Sequence, residues 1–258
     1  MTTQAEKAAA FASLHVKGDP VVLFNIWDAG SAKAVQEAGA KALATGSASV
    51  AAAQGYTDGE KVPLDAVLAN LRRIAASVDL PLTLDFEGGY AREPEAVAKN
   101  VLQVMEAGAV GINFEDQVVG GEGLYPIEEQ AARIAAIRRA AEGRGIPFFI
   151  NARTDIFLKA PAATHSDDHV RQALERAAAY AEAGASGFFP AGVRDPRLIQ
   201  ALCDASPLPV NILVFADLPQ PERLARLGVA RISYGMSPYR HMMAVLKSAT
   251  SEALTLQS

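Results

Sequence analysis

A regular alternation of short apolar runs with Ala-, Glu- and Arg-rich stretches constrains the fold of this chain most strongly. The apolar runs have the length of β-strands, and the stretches between them have helical periodicity. Glu-Ala-Gly-Ala recurs at 37–40, 106–109 and 182–185, and Leu-Gly-Val at 227–229 is a fourth version. A glycine after a helix can adopt the left-handed conformation that closes the last turn. Each repeat is therefore predicted to join a helix to the strand that follows.

The predicted strands number eight and span residues 21–25, 41–46, 82–87, 111–115, 147–153, 187–190, 210–214 and 231–234. Predicted helices include 64–77, 95–107, 128–142, 170–183 and 198–204, with a leading helix at 4–14 and a trailing helix at 238–253. Eight strand–helix alternations predict an α/β protein built as one (β/α)8 TIM barrel over residues 1–258. A doubly wound open sheet is the competing architecture.

Composition and charge exclude several classes of function. The net charge of −5 and the lack of a basic cluster argue against a nucleic-acid partner. Cys203 is the only cysteine, so an intrachain disulfide and a metal site made only of thiolates are excluded. No run approaches 18 uncharged apolar residues, and no secretion signal opens the chain. We therefore expect no membrane span and, by default, a cytoplasmic location.

Ionisable side chains stand at the C-terminal ends of the predicted strands, which all meet at one mouth in a parallel barrel. Because side chains alternate across a strand, the polar positions fall on one face and their apolar neighbours on the other. The polar positions are Thr83, Asp85 and Glu87, then Asn113 and Glu115, then Asn151, Arg153 and Asp155. If the apolar neighbours pack against helices, this polar face lines the interior. Unpaired charges there are costly unless they hold an ion or each other.

The charges on this face predict a metal site beside an anion site. The carboxylates Asp85, Glu87 and Glu115 offer oxygen ligands only, which favour Mg²⁺ or Mn²⁺. The planar fork of Arg153 matches a carboxylate or a phosphoryl group. Two structural interpretations remain open. Asp85 could cap the next helix with Glu87 a solvated loop residue, and Arg153 could be the counter-ion of Glu115 or Asp155.

Three long strand-to-helix loops are predicted, at 48–62, 117–125 and 156–167. Long loops on this side of a barrel usually shape a site. The glycine-rich loop at 117–125 suits a lid that opens and closes, although a mobile surface loop without a role is the alternative. The histidines lack metal-ligand neighbours and are expected to be surface residues, and Cys203 is expected to be a buried small apolar group.

Four segments resemble the isocitrate lyase/phosphoenolpyruvate mutase superfamily, in its phosphoenolpyruvate mutase-like and 2-methylisocitrate lyase-like subgroup. They are Asp-Phe-Glu-Gly-Gly-Tyr at 85–90, Glu-Asp-Gln at 115–117, Asn-Ala-Arg-Thr-Asp at 151–155 and Gly-Tyr-Thr-Asp at 55–58. The similarity runs from Phe-Asn-Ile-Trp-Asp at 24–28 to the trailing helix. It implies cleavage or formation of a C–C or P–C bond next to a carbonyl, with a metal that stabilises the developing enolate.

The resemblance also implies roles for individual residues. Mg²⁺, with Mn²⁺ as a substitute, is expected to be held directly by Asp85 and through water by Asp58, Glu87 and Glu115. Arg153 is expected to bind the substrate carboxylate, and Ser47, with the backbone of Gly46 and Ala48, to approach the 2-oxo carboxylate or its enolate. Trp27 and Asn211 complete the substrate-binding candidates, which also include Asp85.

The loop at 117–126 departs from the family pattern. It lacks the Cys, Lys and His of the lyases, and the Lys and Asn of the phosphonate enzymes. Phe-Pro-Ala-Gly at 189–192 replaces an expected Glu. Glu122 and Tyr125 are the only titratable groups left on the loop, and either could donate a proton. The catalytic candidates are therefore Arg153, Ser47, Glu122 and Tyr125.

These observations favour a Mg²⁺-dependent lyase or decarboxylase that acts on a small 2-oxo acid, or on a 2-hydroxy diacid that yields one. A phosphonopyruvate-type mutase or hydrolase is the first alternative. A non-catalytic protein that binds 2-oxo acids is the second. The resemblance further implies a homo-oligomer, a dimer or tetramer, in which terminal helices are exchanged between subunits.

Overall fold

A computed structural model describes residues 2–215 and 221–255 of the protein. Within them, eight parallel strands pair around a closed ring. The order β1-β8-β7 forms one arc and β2-β3-β4-β5-β6 the other. Single parallel bridges join the arcs, Ile26 with Thr45 and Phe188 with Val210. The pairing of the first strand with the last confirms the barrel and excludes the open doubly wound sheet.

The strands are β1 Val21–Leu23, β2 Leu43–Ala44, β3 Leu82–Asp85, β4 Gly111–Glu115, β5 Phe149–Thr154, β6 Gly187–Pro190, β7 Asn211–Leu213 and β8 Arg231–Ser233. Two of them, β4 and β6, have the predicted bounds. The other six are shorter than predicted: β1, β3 and β8 end earlier, β5 begins later, and β2 and β7 are shorter at both ends.

The helices are α1 Gln4–Ser13, α2 Ala29–Glu37, α3 Ser47–Ala53, α4 Leu64–Ser77, α5 Pro94–Glu106, α6 Ile127–Glu142, α7 Ile156–Lys159, α8 Asp167–Glu182, α9 Pro196–Ala205, α10 Pro221–Arg226 and α11 Ser237–Thr255. A 3₁₀ turn spans Ala162–Thr164. The Glu-Ala-Gly joints behave as predicted, since Gly39, Gly108 and Gly184 have φ of 91°, 105° and 95°. At Gly108 an added Cβ would also lie 2.8 Å from Ala75, so the joint needs glycine for space as well.

The α1 helix covers the N-terminal end of the barrel. A capping box at Thr3 starts the helix, and the Gln4 amide donates to the carbonyls of Met105 and Ala109 at 2.7 and 2.8 Å. Phe11 is fully buried in an apolar cluster with inward-facing strand residues such as Leu23 and Phe149. The interior of the barrel is therefore apolar at this end. A larger apolar cluster lies between the strands and the surrounding helices.

The predicted alternation on the strands is confirmed. Leu84, Phe114 and Ile150 belong to the cluster that faces the helices. The polar residues between them face the interior, where the Asn151 amide donates to Asn113 Oδ1 at 2.9 Å. One expectation is wrong, because His15 is buried at 9% exposure and stacks on Phe149 with ring centroids 4.0 Å apart. Cys203 is buried as expected.

The α11 helix begins at the mouth of the barrel and extends into solvent. Pro238 is its only buried residue among those described, and Met242, Leu246 and Leu254 are 48%, 59% and 60% exposed. No helix in residues 2–215 or 221–255 combines the length and apolar character needed to span a membrane.

Candidate functional site

A cavity of about 390 Å³ opens at the C-terminal mouth of the barrel. Each of the eight strands, or the segment just after it, contributes to the wall. The contributing residues, in strand order, include Asn25, Ser47, Asp85, Asn113, Arg153, Phe189, Leu213 and Ser233. The ring of parallel strands thus gathers side chains distant in sequence at one point, as expected for a barrel enzyme.

Asp85 is held at the end of β3 by donors from the first residue of α3 and from β4. Its Oδ2 accepts from the backbone N–H and the hydroxyl of Ser47, at 3.1 and 3.0 Å. The Asn113 amide lies 3.5 Å from Oδ1. Asp85 therefore caps α3, the helix after β2, where a carboxylate is favoured by the helix dipole. The interpretation that Asp85 caps the helix after its own strand is wrong.

Glu87 ties the turn after β3 to the loop that carries Asp58. Its carboxylate accepts from the backbone N–H groups of Gly59 and Glu60 at 2.8 and 3.0 Å, and from the Tyr90 hydroxyl at 3.2 Å. Glu87 is only 7% exposed, so the interpretation of a solvated loop residue is wrong. Its φ is +51°, a left-handed conformation that is strained for a residue with a Cβ. The hydrogen bonds hold this conformation and place Asp58 at the cavity.

Arg153 lines the cavity from β5 and carries two carboxylate partners. Its Nε and Nη2 contact the two oxygens of Asp155 at 2.6 and 2.9 Å, and Nη1 contacts Glu115 Oε2 at 2.9 Å. The structural interpretation, a counter-ion for both residues, is thus confirmed. A guanidinium has five N–H donors, so these three contacts leave two N–H groups for a ligand in the cavity.

Burial perturbs the carboxylates around the cavity. It raises the pKa of Glu115 to about 8, although the charge of Arg153 lowers it. Burial also raises the pKa of Glu87, to about 7. The hydrogen bond from the Glu60 N–H opposes this rise, and the repulsion of Asp85 and Asp58 adds to it. Burial lowers the pKa of Arg153, but Glu115 and Asp155 outweigh it and the net direction is upward. A cation in the cavity would stabilise the ionised carboxylates.

The donor set fits Mg²⁺ better than a metal ion that is coordinated by protein side chains alone. All four candidate ligands, Asp58, Asp85, Glu87 and Glu115, offer oxygen. Across residues 2–215 and 221–255, no three His, Cys, Asp or Glu side chains are gathered as a ready-made ligand set. Mg²⁺ keeps several waters and needs only one or two direct carboxylates plus substrate oxygens. Asp85 as a direct ligand, with water-mediated contacts to the others, agrees with this preference.

A family model described as phosphoenolpyruvate phosphomutase matches residues 11–254. The chain belongs to the phosphoenolpyruvate phosphomutase family. The expected membership of the isocitrate lyase/phosphoenolpyruvate mutase superfamily, a group of enzymes, is therefore confirmed.

Three proteins illustrate the similarity. A candidate phosphonomutase from Burkholderia cenocepacia J2315 is 49% identical, with a TM-score of 0.95 over 97% of this chain and 100% of that chain. The 2-methylisocitrate lyase of Escherichia coli (strain K12) is 31% identical over 243 residues, 90% of this chain and 79% of the lyase. A phosphonopyruvate hydrolase crystallised with oxalate and Mg²⁺ has a TM-score of 0.84 at 23% identity, over 98% of this chain and 88% of that chain, which is a likeness of fold.

Six of the site residues predicted from the sequence lie together in this family member. They line the mouth cavity and are Gly46, Ser47, Ala48, Asp58, Asp85 and Arg153. Glu87 and Glu115 lie behind this wall, where they contact the Asp58 loop and Arg153.

Four other predicted residues lie away from the cavity wall. Trp27 packs edge-to-face on Tyr239 at 5.2 Å between ring centroids. Asn211 is buried beneath the cavity and accepts from the Ser233 hydroxyl at 3.1 Å. Glu122 is exposed on the loop, and the Tyr125 ring packs on the Arg133 guanidinium at 4.3 Å. A catalytic role for either loop residue therefore requires the loop to move.

Several polar residues of the site have no counterpart among the predicted site residues. Asn25 accepts from the N–H groups of Tyr234 and Gly235, both at 2.8 Å, and so ties β1 to the segment after β8. Arg231 is fully buried below the cavity and donates to Asn113 at 3.0 Å. The alternation of side chains along β8 places Arg231 and Ser233 on one face. This pattern could have predicted from the sequence that Arg231 faces the interior. Arg240 also lines the cavity, and no sequence pattern distinguishes it from other helix arginines.

Proposed function

We propose that this family member is a Mg²⁺-dependent lyase- or decarboxylase-type enzyme. Its substrate is a small 2-oxo acid, or a 2-hydroxy diacid that yields one, and the reaction passes through an enolate. The observation that carries the proposal is the convergence of Asp58, Asp85 and Arg153 on one cavity of about 390 Å³. Acidic groups opposite a guanidinium suit a small anion that is also chelated by a divalent ion.

Asp85 would hold the ion directly, and Asp58, Glu87 and Glu115 would hold it through water. Bound there, Mg²⁺ or Mn²⁺ would supply Lewis-acid stabilisation of the negative charge that develops on the substrate oxygen. Support for this cofactor comes from the oxygen donor set and from the phosphonopyruvate hydrolase crystallised with Mg²⁺.

The protein's own side chains would bind and orient the substrate. The two unused N–H groups of Arg153 would donate to its carboxylate, and Ser47 lies beside Asp85, where its hydroxyl can contact a 2-oxo group. Because Glu115 and Asp155 hold three of the guanidinium N–H groups of Arg153, the guanidinium is oriented before the substrate arrives. Such preorganisation lowers the entropic cost of binding and of reaching the transition state.

Decarboxylation of an oxaloacetate-like acid is slightly favoured over cleavage of a hydroxy diacid. In decarboxylation the C–C bond electrons move to the enolate oxygen and CO₂ leaves, so no side-chain base is needed to begin. Cleavage of a hydroxy diacid needs a base to take the hydroxyl proton. The two loop candidates, Glu122 and Tyr125, lie outside the cavity in the arrangement described above.

A panel assay tests the proposal. The protein is incubated with Mg²⁺ and a series of 2-oxo and 2-hydroxy diacids, and pyruvate release is followed. We expect turnover of at least one acid that EDTA abolishes and that Asp85→Asn loses. Equal rates for wild type and Asp85→Asn on every acid would refute it.

Loop variants separate the two lyase reactions. For decarboxylation we expect Glu122→Gln and Tyr125→Phe to retain kcat within about tenfold, because no loop base is required. If a hydroxy diacid is the substrate and one of these residues transfers the proton, its variant should lose about 10²-fold or more. Glu142→Gln, at an exposed glutamate that ends α6 and does not line the cavity, serves as the control.

Phosphonopyruvate chemistry remains the second candidate. The 49% identity to a candidate phosphonomutase favours it, whereas the loop at 117–126 lacks the Lys and Asn expected of phosphonate enzymes. Phosphorus NMR with phosphonopyruvate and Mg²⁺ decides this point through loss of the phosphonate signal. A non-catalytic role would instead give ligand-dependent thermal shifts without any product.

We further propose that the chain is a homo-oligomer, a dimer or tetramer, assembled in part through α11. The helix exposes Met243, Val245 and Leu246, while Val22 and Phe24 of the β1 region are 41% and 44% exposed on the outside of the barrel. Exposed apolar patches of this kind mark association surfaces. Light scattering after gel filtration should show an oligomer that Leu246→Glu dissociates and Lys247→Glu leaves intact.

A further inference from the structure

Left-handed backbone at residues other than glycine is confined to one place in the described part of the chain. The residues are Glu60, Glu87 and Tyr90, with φ of 58°, 51° and 58°. A residue with a Cβ is strained in this region, and it keeps the conformation only where surrounding contacts impose it. Two candidate metal ligands, Asp58 and Glu87, belong to the same two segments. The contacts that impose the strain therefore also fix the backbone of the proposed metal site.

Two carboxylates hold these segments together. The Glu87 carboxylate accepts from the N–H groups of Gly59 and Glu60 at 2.8 and 3.0 Å. The Glu60 carboxylate makes the converse contact, because its Oε1 accepts from the Tyr90 N–H at 2.8 Å. Each segment thus supplies a carboxylate to backbone N–H groups of the other. We call the contacts between residues 58–60 and 87–90 the reciprocal clasp.

The turn after β3 has room for the Glu60 carboxylate because it contains glycine. A Cβ at Gly88 would lie 3.0 Å from Glu60 Oε1 and 2.9 Å from a methyl group of Val119. On the other side of the turn, the fully buried Arg133 donates to the carbonyls of Gly88 and Ala91. The turn is therefore held from two sides, and Glu60 provides the contact to the segment that precedes α4.

Glu60 lies outside the mouth cavity. Asp58 lines that cavity, whereas Glu60 lines a separate cavity of about 310 Å³ together with Tyr90. The Glu60 carboxylate thus lies against the turn after β3 and not on the cavity wall that Asp85 shares. Any effect of Glu60 on an ion at Asp85 therefore acts through the placement of other side chains.

The placement of Asp58 depends on such contacts. Asp58 is exposed and lies in the loop between α3 and α4, where no helix or strand fixes its backbone. Mg²⁺ demands nearly octahedral geometry and keeps several waters, so a carboxylate that contacts it through water must lie near a coordinated water. Residues that orient such groups typically affect metal affinity by about 10- to 100-fold.

We propose that Glu60 is a positioning residue for the metal site. By accepting the Tyr90 N–H, it holds the Asp58 loop against the Glu87 turn and so places both carboxylates for a divalent ion. This inference rests on the proposed function, since it concerns the ion proposed there. Glu60 contacts neither the ion nor the substrate, and it acts through its hydrogen bond and not through its charge.

Two substitutions separate the hydrogen bond from the charge. Glu60→Gln removes the charge but keeps an oxygen acceptor at the same reach, whereas Glu60→Asp keeps the charge but shortens the side chain by one methylene. Aspartate also tolerates the left-handed conformation of this position. The matched control is Glu142→Asp, at an exposed glutamate that ends α6. Circular dichroism and melting temperature verify that each variant is folded.

Two measurements follow the variants, and neither depends on turnover. Titration of the metal-free protein with Mn²⁺, followed by the electron paramagnetic resonance signal of the free ion, gives the dissociation constant. Hydrogen exchange with mass spectrometry, without any metal, reports the amides of residues 56–61 and 87–91.

We expect Glu60→Asp to weaken Mn²⁺ binding by about 10- to 100-fold and to speed exchange in both segments. Glu60→Gln should remain within about threefold of wild type in Mn²⁺ affinity and exchange as wild type does. Glu142→Asp should match wild type in both measurements.

Three results overturn the inference while wild type binds Mn²⁺. They are unchanged Mn²⁺ affinity in Glu60→Asp, a loss in Glu60→Gln as large as in Glu60→Asp, and unchanged exchange of both segments in Glu60→Asp. The second result would show that the charge of Glu60 acts and not its hydrogen bond. If wild type itself binds no Mn²⁺, the proposed function fails and this inference fails with it.

Discussion

The two ends of the barrel interior are built from the same strands but have opposite chemistry. At the N-terminal end, Phe11 of α1 packs against Leu23 and Phe149 in a closed apolar cluster. At the C-terminal end, the same strands present Asp85 and Arg153 to a cavity. Along β5 the change takes four residues, from the phenyl ring of Phe149 to the guanidinium of Arg153.

This contrast shows which end serves stability and which serves function. Burying apolar surface at the closed end stabilises the fold by about 25 cal/mol per Å². Gathering partly buried carboxylates at the open end costs free energy, as the raised pKa values of Glu87 and Glu115 indicate. Binding of a cation and an anion would offset this cost in free energy.

The largest expected effect is at the open end. Asp85→Asn removes the proposed direct metal ligand while keeping a side chain of the same size. We expect turnover to fall by about 10³-fold or more, because transition-state charge stabilisation is lost. The melting temperature should change by only a few degrees, since repulsion with Glu87 and Glu115 is relieved as the Ser47 bonds weaken. Activity within tenfold of wild type would contradict the account.

The next effect is at the closed end. Phe11→Ala should lower the free energy of unfolding by about 3–5 kcal/mol, because a fully buried ring leaves a cavity. At temperatures where the variant is folded, KM should remain that of wild type. Urea denaturation measures the loss, with the exposed Val16→Ala as a control expected within about 0.5 kcal/mol. A changed KM with unchanged stability would reverse the assignment of the two ends.

The third effect also concerns the closed end, and it is confined to acidic solution. Burial, with the nearby charge of Arg231, lowers the pKa of His15 from 6.5 to about 3. The unfolded chain therefore takes up this proton first as the pH falls, so stability declines between about pH 6.5 and 3 and is unaffected above. The slope attributable to His15 is about 1.4 kcal/mol per pH unit within that window.

His15→Gln should remove this contribution, because glutamine does not titrate. Chemical denaturation at half-unit pH intervals measures the slope, and the exposed His241→Gln on α11 is the control. If the free energy of unfolding falls equally steeply with decreasing pH in wild type and His15→Gln, the buried imidazole is not the cause of the loss of stability in acid.

The sequence predicts the barrel and much of its mouth because those features depend on local pattern. Strand β4 was predicted with its observed bounds, since its apolar run is flanked by Gly111 and a terminal Glu115. Alternation along the strands predicted that Asp85 and Arg153 face the interior. Their convergence followed from parallel topology alone.

Other features depend on contacts between distant segments and left no local signal. His15 is buried because α1 docks against Phe149, 134 positions away in the chain numbering. Tyr125 packs on Arg133, which in turn donates to the carbonyls of Gly88 and Ala91. Arg240 reaches the cavity only because α11 begins at the mouth. No periodicity in the sequence encodes these long-range arrangements.

The most direct test of the central claim is calorimetric titration of the protein with oxalate, with and without Mg²⁺. The claim is that Asp85 holds a divalent ion and Arg153 holds the anion chelated to it. We predict measurable oxalate binding with Mg²⁺, loss of most of that affinity in EDTA, and no detectable binding by Asp85→Asn or Arg153→Met under either condition. Equal oxalate affinity with and without Mg²⁺, or wild-type affinity in either variant, would contradict it.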